Sequence, residues 1–527
     1  MHIKTFIYST ATFYGHFVAG EDENDIKPAV KRLNDFGVKV ILDYSAEEDI
    51  SEEEADKKES ISYDNVAQEK DSTLSEVLGQ PVVRDNSLKV FTHSKSLGDR
   101  RKGVNSARTY FYEGEAQCEK NTEIFLKCID AISKATNGTG FAAIKLTALG
   151  RPQLLLQLSE ALIRTRKYVA EVLETDTKRK YNQNILKLHV NPEQFKEKLT
   201  QKLPSEASSA IDDLVKHTTY DQNGVINLFS WGGLIDNEIL LSEMLRVPCF
   251  KTGQMVPLID SMTTEDNHIF SNTLARLNTI FQHATNTQVR VMVDAEQTYF
   301  QPAITRLTLE MMRKYNKEKA IVFNTYQCYL RRTYQELVLD MEQANRQDFY
   351  FGAKLVRGAY LDQERERAKQ FGYKDPTNPT FEATTEMYHR CLVDVLMRAR
   401  EYRRQQGPDA APKTRIMVAT HNEETVRFAV RKMQEMNIPP SAGILFFGQL
   451  YGMCDQVSFP LGQGGFSVYK YVPYGPVLEV MPYLSRRVEE NKGILSKVKK
   501  EKRMLRKELM RRFLRGQWIY TPVGPAS

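Results

Sequence analysis

No run of eighteen apolar residues occurs in this 527-residue chain, so the sequence offers no segment for a membrane-spanning helix. Paired cysteines are missing as well. Cys118, Cys128, Cys249, Cys328, Cys391 and Cys454 are scattered without a CxxC pair, which favours a reducing compartment and argues against structural zinc or an iron–sulfur cluster. They read as small buried hydrophobes. No HExxH or HxxxH spacing supplies metal ligands, so no metal is expected, and no serine sits in a nucleophile elbow. No GxGxxG follows a strand; the glycines between Gly462 and Gly465 precede theirs. The opening stretch MHIKTFIYSTATFYGHFVAG has the form of neither a secretory signal nor an arginine-rich presequence. An organellar protein without its targeting segment is compatible with that.

A hydrophobic content of 41% with 27% charged residues excludes disorder throughout the chain. The formal charge of +6 does not signal nucleic-acid binding, because the excess sits in one place. Between Lys492 and Arg515 there are eleven Lys or Arg against two Glu, and without this tail the body is near neutral.

Along the chain, residues 23–36 have helical periodicity through Ile26, Val30, Leu33 and Phe36, ended by Gly37, and Val38 to Tyr44 then reads as a buried strand. These form a first unit over 1–50. Residues 51–120 make a polar, acidic insertion, read as a surface excursion. The remainder to 492 forms the main body, with a helical insertion around 150–288 and a basic tail over 493–527. Inside that insertion Asp221, Asn223 and Gly224 resemble part of a calcium loop. Thr219 and Ser230 stand where carboxylates are needed, so a plain Asn-Gly turn is the better reading.

Further strand candidates are FAAIKLTALG from Phe141, VRVMVDAEQ from Val289, AIVFNTYQ from Ala320, FGAKLVRGAY from Phe351, RIMVATHN from Arg415, GILFFGQLYG and FSVYKYVPYG. With Val38 to Tyr44 they number eight, and amphipathic helical spans separate most later pairs. This pattern predicts an α/β fold of the parallel (βα)8 TIM-barrel class, with a doubly wound sheet as the alternative. In a barrel, Lys145, Asp294, Asn324, Arg357, Tyr360, His421, Gln449 and Tyr471, all at or just beyond strand ends, converge on one mouth.

After the eighth strand, Tyr483, Arg486, Arg487 and Glu490 fall at i, i+3, i+4 and i+7, on one helical face able to close over that mouth. Two adjacent guanidiniums can hold a carboxylate; the alternative is a solvated charged face. Lys145, Lys354, Arg357 and His421 make the mouth rich in donors, suited to a small anionic substrate and a large anionic cofactor. Asp294 with Glu490 is the only pair of acids suited to glycosidase chemistry.

The blocks IKLTALG, VMVDAEQTYF, FNTYQCYL, KLVRGAYL, ATHN, GQLYGM, KYVPYG and YLSRRVEEN resemble, in order, those of the proline dehydrogenase family in its eukaryotic mitochondrial form, over roughly residues 15–50 and 138–492. The resemblance implies a (βα)8 barrel whose eighth helix covers proline, carrying FAD without a Rossmann domain. It implies that Arg486 and Arg487 bind the proline carboxylate and that Lys145 supplements that charge near Asp294. Tyr471, Tyr483 and Leu450 would wall the ring, with Tyr360 nearby, and Glu490 would pair with the basic site.

The cofactor contacts so implied are Asp294, Ala295, Asn324, Lys354, Val356, Arg357, Gly358, Ala359, Leu361, Thr384, Thr420, His421, Asn422, Gln449, Arg487 and Glu490. Lys354 is expected at the flavin edge, and Arg357 is expected to steady the site through a carboxylate. Bacterial relatives carry Arg, Gln and Trp where Lys354, Asn324 and Leu361 stand. The implied reaction is oxidation of L-proline to (S)-1-pyrroline-5-carboxylate, with hydride leaving C5 for FAD N5. Electrons would then pass to ubiquinone on the matrix side of the inner mitochondrial membrane. A 4-hydroxyproline dehydrogenase is the enzymatic alternative, disfavoured by the bulk of Tyr471 where that branch carries serine. A catalytically silent interaction barrel is the other. Ile494, Val498, Leu505, Leu509 and Phe513 form an apolar stripe in the basic tail, readable as a membrane-surface helix or as a packed terminal helix.

Overall fold

The computed structural model describes residues 14–22, 24–44, 77–78, 88–92, 114–136, 138–173, 185–258, 262–407, 410–477, 480, 484 and 495–517. Eight parallel strands close into a barrel: β1 (Val38–Tyr44), β2 (Phe141–Ile144), β3 (Arg290–Val293), β4 (Val322–Gln327), β5 (Phe351–Val356), β6 (Thr414–Ala419), β7 (Leu445–Leu450) and β8 (Val468–Tyr474). Each pairs with the next, and β8 returns to β1 over a seven-residue register from Val38 opposite Val468 to Tyr44 opposite Tyr474. The doubly wound alternative is thereby excluded, because a closed ring has no topological switch point.

Helices surround the ring: α1 (Lys27–Asp35), α2 (Glu115–Thr136), α3 (Pro152–Val172), α4 (Thr264–Asn286), α5 (Gln301–Tyr315), α6 (Thr333–Arg346), α7 (Leu361–Phe371), α8 (Phe381–Gln406), α9 (Glu423–Glu435) and α10 (Asp455–Gln463), followed by α11 (Leu495–Leu514). Their starts follow local chemistry. Thr263 and Asp266 form a reciprocal capping box at α4, and the Asn422 side chain accepts from the Thr425 amide at α9. No described helix is long and apolar enough to cross a membrane.

Side-chain alternation divides the strands into two layers. Val322 and Tyr326 of β4, with Ala353 and Leu355 of β5, face the helices; Ile41, Phe141, Met292, Phe323, Met417, Phe446 and Tyr469 fill the interior. Phe141 is the centre of that plug, meeting Phe323, Phe446 and Tyr469 edge-on at 5.2, 5.5 and 4.9 Å between centroids. Truncating it to alanine would cost about 3–5 kcal/mol.

Between β2 and β3 the helical insertion also contains two short hairpins. One pairs Thr219–Asp221 with Gly224–Asn227, and Asp221 accepts from the Asn223 amide at 2.8 Å and from Arg346 Nε at 2.9 Å. The loop that resembles a calcium site is thus an Asn-Gly turn whose carboxylate is held by an arginine. Parts of the polar insertion differ from a surface excursion. Val77, Leu78, Leu88 and Phe91 are buried in the main core, and the Phe250 amide donates to Val77 O at 2.8 Å. Isolated apolar residues spaced among acids anchor the segment without producing a periodic pattern.

Candidate active site

The interior alternation that places Phe141 and Ala143 inward on β2, and Met292 inward on β3, carries on to Lys145 and Asp294 at the strand exits. On β5 the same parity selects Lys354. These three converge: Asp294 accepts from Lys354 Nζ at 2.7 Å through Oδ1 and from Lys145 Nζ at 3.5 Å through Oδ2. Burial raises the Asp294 carboxyl, but the two ammonium groups and their hydrogen bonds outweigh it, so the carboxyl stays below its usual range. The result is an ionised carboxylate between two cations, leaving one net positive charge. Lys354 Nζ also lies 5.6 Å from the Tyr471 ring centroid, so β8 delivers its aromatic side chain to the same place.

On the neighbouring strands, Leu450 continues the inward parity of Phe446, and its amide donates to His421 Nε2 at 2.9 Å. That bond gives His421 an accepting Nε2 and ties the exit of β6 to the exit of β7. Next to it, Lys470 is fully buried on the outward side of β8. It donates to Leu450 O at 3.3 Å and to Met453 O, and pairs with Asp455 at 2.7 Å, pinning the loop behind Leu450.

After β5 the chain runs Arg357, Gly358, Ala359, with both small residues exposed. Gly358 has φ +134°, and a Cβ there would sit 1.8 Å from Tyr329 Cδ1, so only glycine fits. Arg357 donates to Thr385 Oγ1 at 3.0 Å and lies 4.2 Å from the Phe381 ring centroid, with Thr425 Oγ1 at 3.5 Å. The expected carboxylate is not there: among the described residues its polar partners are hydroxyls, and its buried Nε and Nη1 have none. Burial accordingly lowers its affinity for its proton. A guanidinium with unfilled donors beside exposed backbone is shaped to take an anionic group from outside the chain.

A family model described as "Proline dehydrogenase" matches residues 26–500. The chain belongs to the proline dehydrogenase family. It is 53% identical over 526 residues to proline dehydrogenase 1, mitochondrial, of Drosophila melanogaster, covering 98% of this chain and 74% of that one. The human protein of the same name is 47% identical over 511 residues, covering 97% and 81%. Hydroxyproline dehydrogenase of Bos taurus is 42% identical over 290 residues, covering 54% of this chain and 61% of that relative. Among solved structures, proline utilization A from Bdellovibrio bacteriovorus inactivated by N-propargylglycine superposes with a TM-score of 0.52 at 14% identity, covering 93% of this chain and 34% of that one, an agreement in fold.

Within this proline dehydrogenase barrel, the other residues singled out from sequence fall into four groups. Ala295, Val356, Leu361, Thr420 and Asn422 lie at strand exits or helix starts around the mouth, and Tyr360 is buried with Tyr329 and Leu330. Thr384, buried in the first turn of α8, bonds back to Thr380 O at 3.2 Å, while its neighbour Thr385 meets Arg357. Asn324 and Gln449 turn away from the mouth. Asn324 shares parity with Val322 and Tyr326 and donates to Thr305 of α5 at 3.4 Å, its Oδ1 buried without a partner. Gln449 accepts from Ser458 of α10 at 2.9 Å and donates to Thr420 O at 3.4 Å. Tyr483, Arg486, Arg487 and Glu490 lie outside the described residues.

Sequence patterning does not single out Glu296. Fully buried, it accepts from Thr147 Oγ1 at 3.0 Å on each oxygen. Burial pushes its carboxyl up to about 7, although Lys145 and Thr147 oppose the rise. The block VMVDAEQ displays the acid, but the partner lies 149 residues earlier.

Proposed function

We propose that this chain oxidises L-proline to (S)-1-pyrroline-5-carboxylate with FAD as its resident cofactor. The observation that carries the reading is the Lys145–Asp294–Lys354 array beside Tyr471, a mouth with one surplus positive charge and an aromatic wall. Its surplus charge favours the substrate carboxylate, which Arg486 and Arg487 would grip. Tyr471 and Leu450 hold the pyrrolidine ring in one orientation, and Asp294, kept ionised, fixes both lysines. The unfilled donors of Arg357 and the exposed Gly358–Ala359 backbone fit a diphosphate-bearing cofactor. Lys354, Ala295, Val356, Leu361, Thr384, Thr420, His421 and Asn422 would complete its seat. When bound, FAD supplies the two-electron acceptor for hydride from proline C5.

The test is anaerobic titration of the purified yellow protein, first with L-proline and then with trans-4-hydroxy-L-proline. Preferential bleaching by proline supports the reading. Bleaching by hydroxyproline alone assigns the other branch, and colourless protein that cannot be reconstituted with FAD favours a silent barrel.

Electrons then pass to ubiquinone at the matrix face of the inner mitochondrial membrane. Supporting this are the mitochondrial names of the relatives and helix α11, where Leu505, Leu509 and Phe513 are all more than 60% or at 60% exposed among basic residues. Liposome binding and quinone-dependent turnover that survive removal of residues 493–527 would sink the role of the tail.

A further inference from the structure

The end of the barrel opposite the mouth carries cations that the proposed reaction leaves unused. Lys39, Arg290 and Arg415 stand two residues before Ile41, Met292 and Met417, so strand alternation places all three just below the aromatic plug. Lys319 joins them from the segment before β4. The Arg290 guanidinium lies 5.3 and 5.5 Å from the Phe141 and Phe446 ring centroids, and Lys39 Nζ lies 5.9 Å from that of Tyr469. Arg290 Nη1 donates to Thr139 O at 3.1 Å. Its Nε, and the Nε of Arg415, are buried without partners.

Among the described residues none of these four cations forms an ion pair; Lys413 nearby in sequence takes Asp348 at 2.6 Å instead. The groups feel one another. Burial and then the Arg290 charge lower the ammonium of Lys39, and Lys319 is lowered by burial, Arg290 and Arg415 against a small opposing effect of Glu318. Arg415 is brought down to about 10 by burial and Arg290, with Tyr469 and Tyr350 opposing. Ring faces offset part of the repulsion but neutralise none of it. Two guanidinium forks beside two ammonium groups match a tetrahedral oxyanion carrying more than one charge better than a single carboxylate.

We propose that the bottom of the barrel is a binding site for a compact oxyanion of the phosphate class, gripped by Arg290 and Arg415 with Lys39 and Lys319 supplying charge. The site is independent of the mouth and of the reaction there.

The experiment uses the full chain saturated with FAD and inorganic phosphate as probe, with sodium chloride at matched ionic strength and pH as reference. Isothermal titration gives the phosphate dissociation constant, and thermal unfolding should show a phosphate-specific rise of about 1–2 °C at tenfold excess over that constant. Arg415→Gln should weaken phosphate about tenfold, with proline turnover at saturating substrate unchanged. Lys319→Gln, at a half-buried position, tests the same charge if the arginine variant does not fold. Equal responses to phosphate and chloride overturn the proposal. So does a phosphate affinity unmoved by substitution, because binding would then lie elsewhere, the cofactor seat included.

Discussion

Replacing Glu296 by Gln should change how stability depends on pH, by an amount the structure sets. Glu296 is fully buried, with Thr147 as its hydrogen-bond partner and Lys145 and Asp294 as the charges that face it. Its carboxyl rises from 4.5 to about 7, so the folded protein binds this proton more tightly than the unfolded chain. The associated stabilisation is fully present below pH 4.5 and is lost as pH rises through 7, amounting to about 3 kcal/mol. Gln keeps the shape but does not titrate. Urea unfolding of both proteins from pH 4.5 to 8 should therefore show wild type losing about 3 kcal/mol relative to Glu296→Gln across that window. Contributions of Lys145 and Asp294 are common to both proteins and largely cancel. A difference that does not vary with pH, or one that grows in favour of wild type, would refute the assignment of a proton to this buried carboxyl.

Other outcomes follow from neighbouring residues. Asp294→Asn removes the charge that holds Lys145 and Lys354, and steady-state kinetics should show proline kcat/KM down at least tenfold, roughly, in a chain that still folds. Gly358→Ala, with its Cβ driven into Tyr329, should yield protein purified without its yellow colour, measured as the ratio of flavin to protein absorbance. Lys470→Met frees the loop behind Leu450, and the proline KM should rise about tenfold while kcat changes less; equal losses in both would contradict a positioning role. Tyr471→Ser should raise the ratio of hydroxyproline to proline turnover about tenfold by clearing space at the ring, as competitive turnover assays would show.

The barrel is legible because its strands are short apolar runs followed at once by a polar residue, as in VRVMVDAEQ and RIMVATHN. Lys145, Asp294, Lys354, Leu450 and Tyr471 emerge together because they share the inward parity of their strands. Asn324 and Gln449 sit one residue off that parity, and one residue is the whole difference between mouth and helix layer. Glu296 escapes the same rule because the chain has left β3 by then, and its direction is set by Thr147 rather than by pleating. The cation cluster below the plug needs three strands in register before its members become neighbours, so no single block of sequence announces it.

The junction of β1 with β8 has a consequence for biosynthesis. The seven-residue pairing joins residue 38 to residue 468, and the entry segment adds bonds from Tyr14 to Gly475 O, from Ala19 to Pro473 O and from Gly475 to Gly20 O. A nascent chain therefore emerges from the ribosome with its first strand waiting through more than four hundred residues for its partner. Until then both edges of the growing sheet are open to other chains. Translation that halts before Tyr474 leaves an arc rather than a ring, and such products should be the ones that chaperones hold or proteases remove.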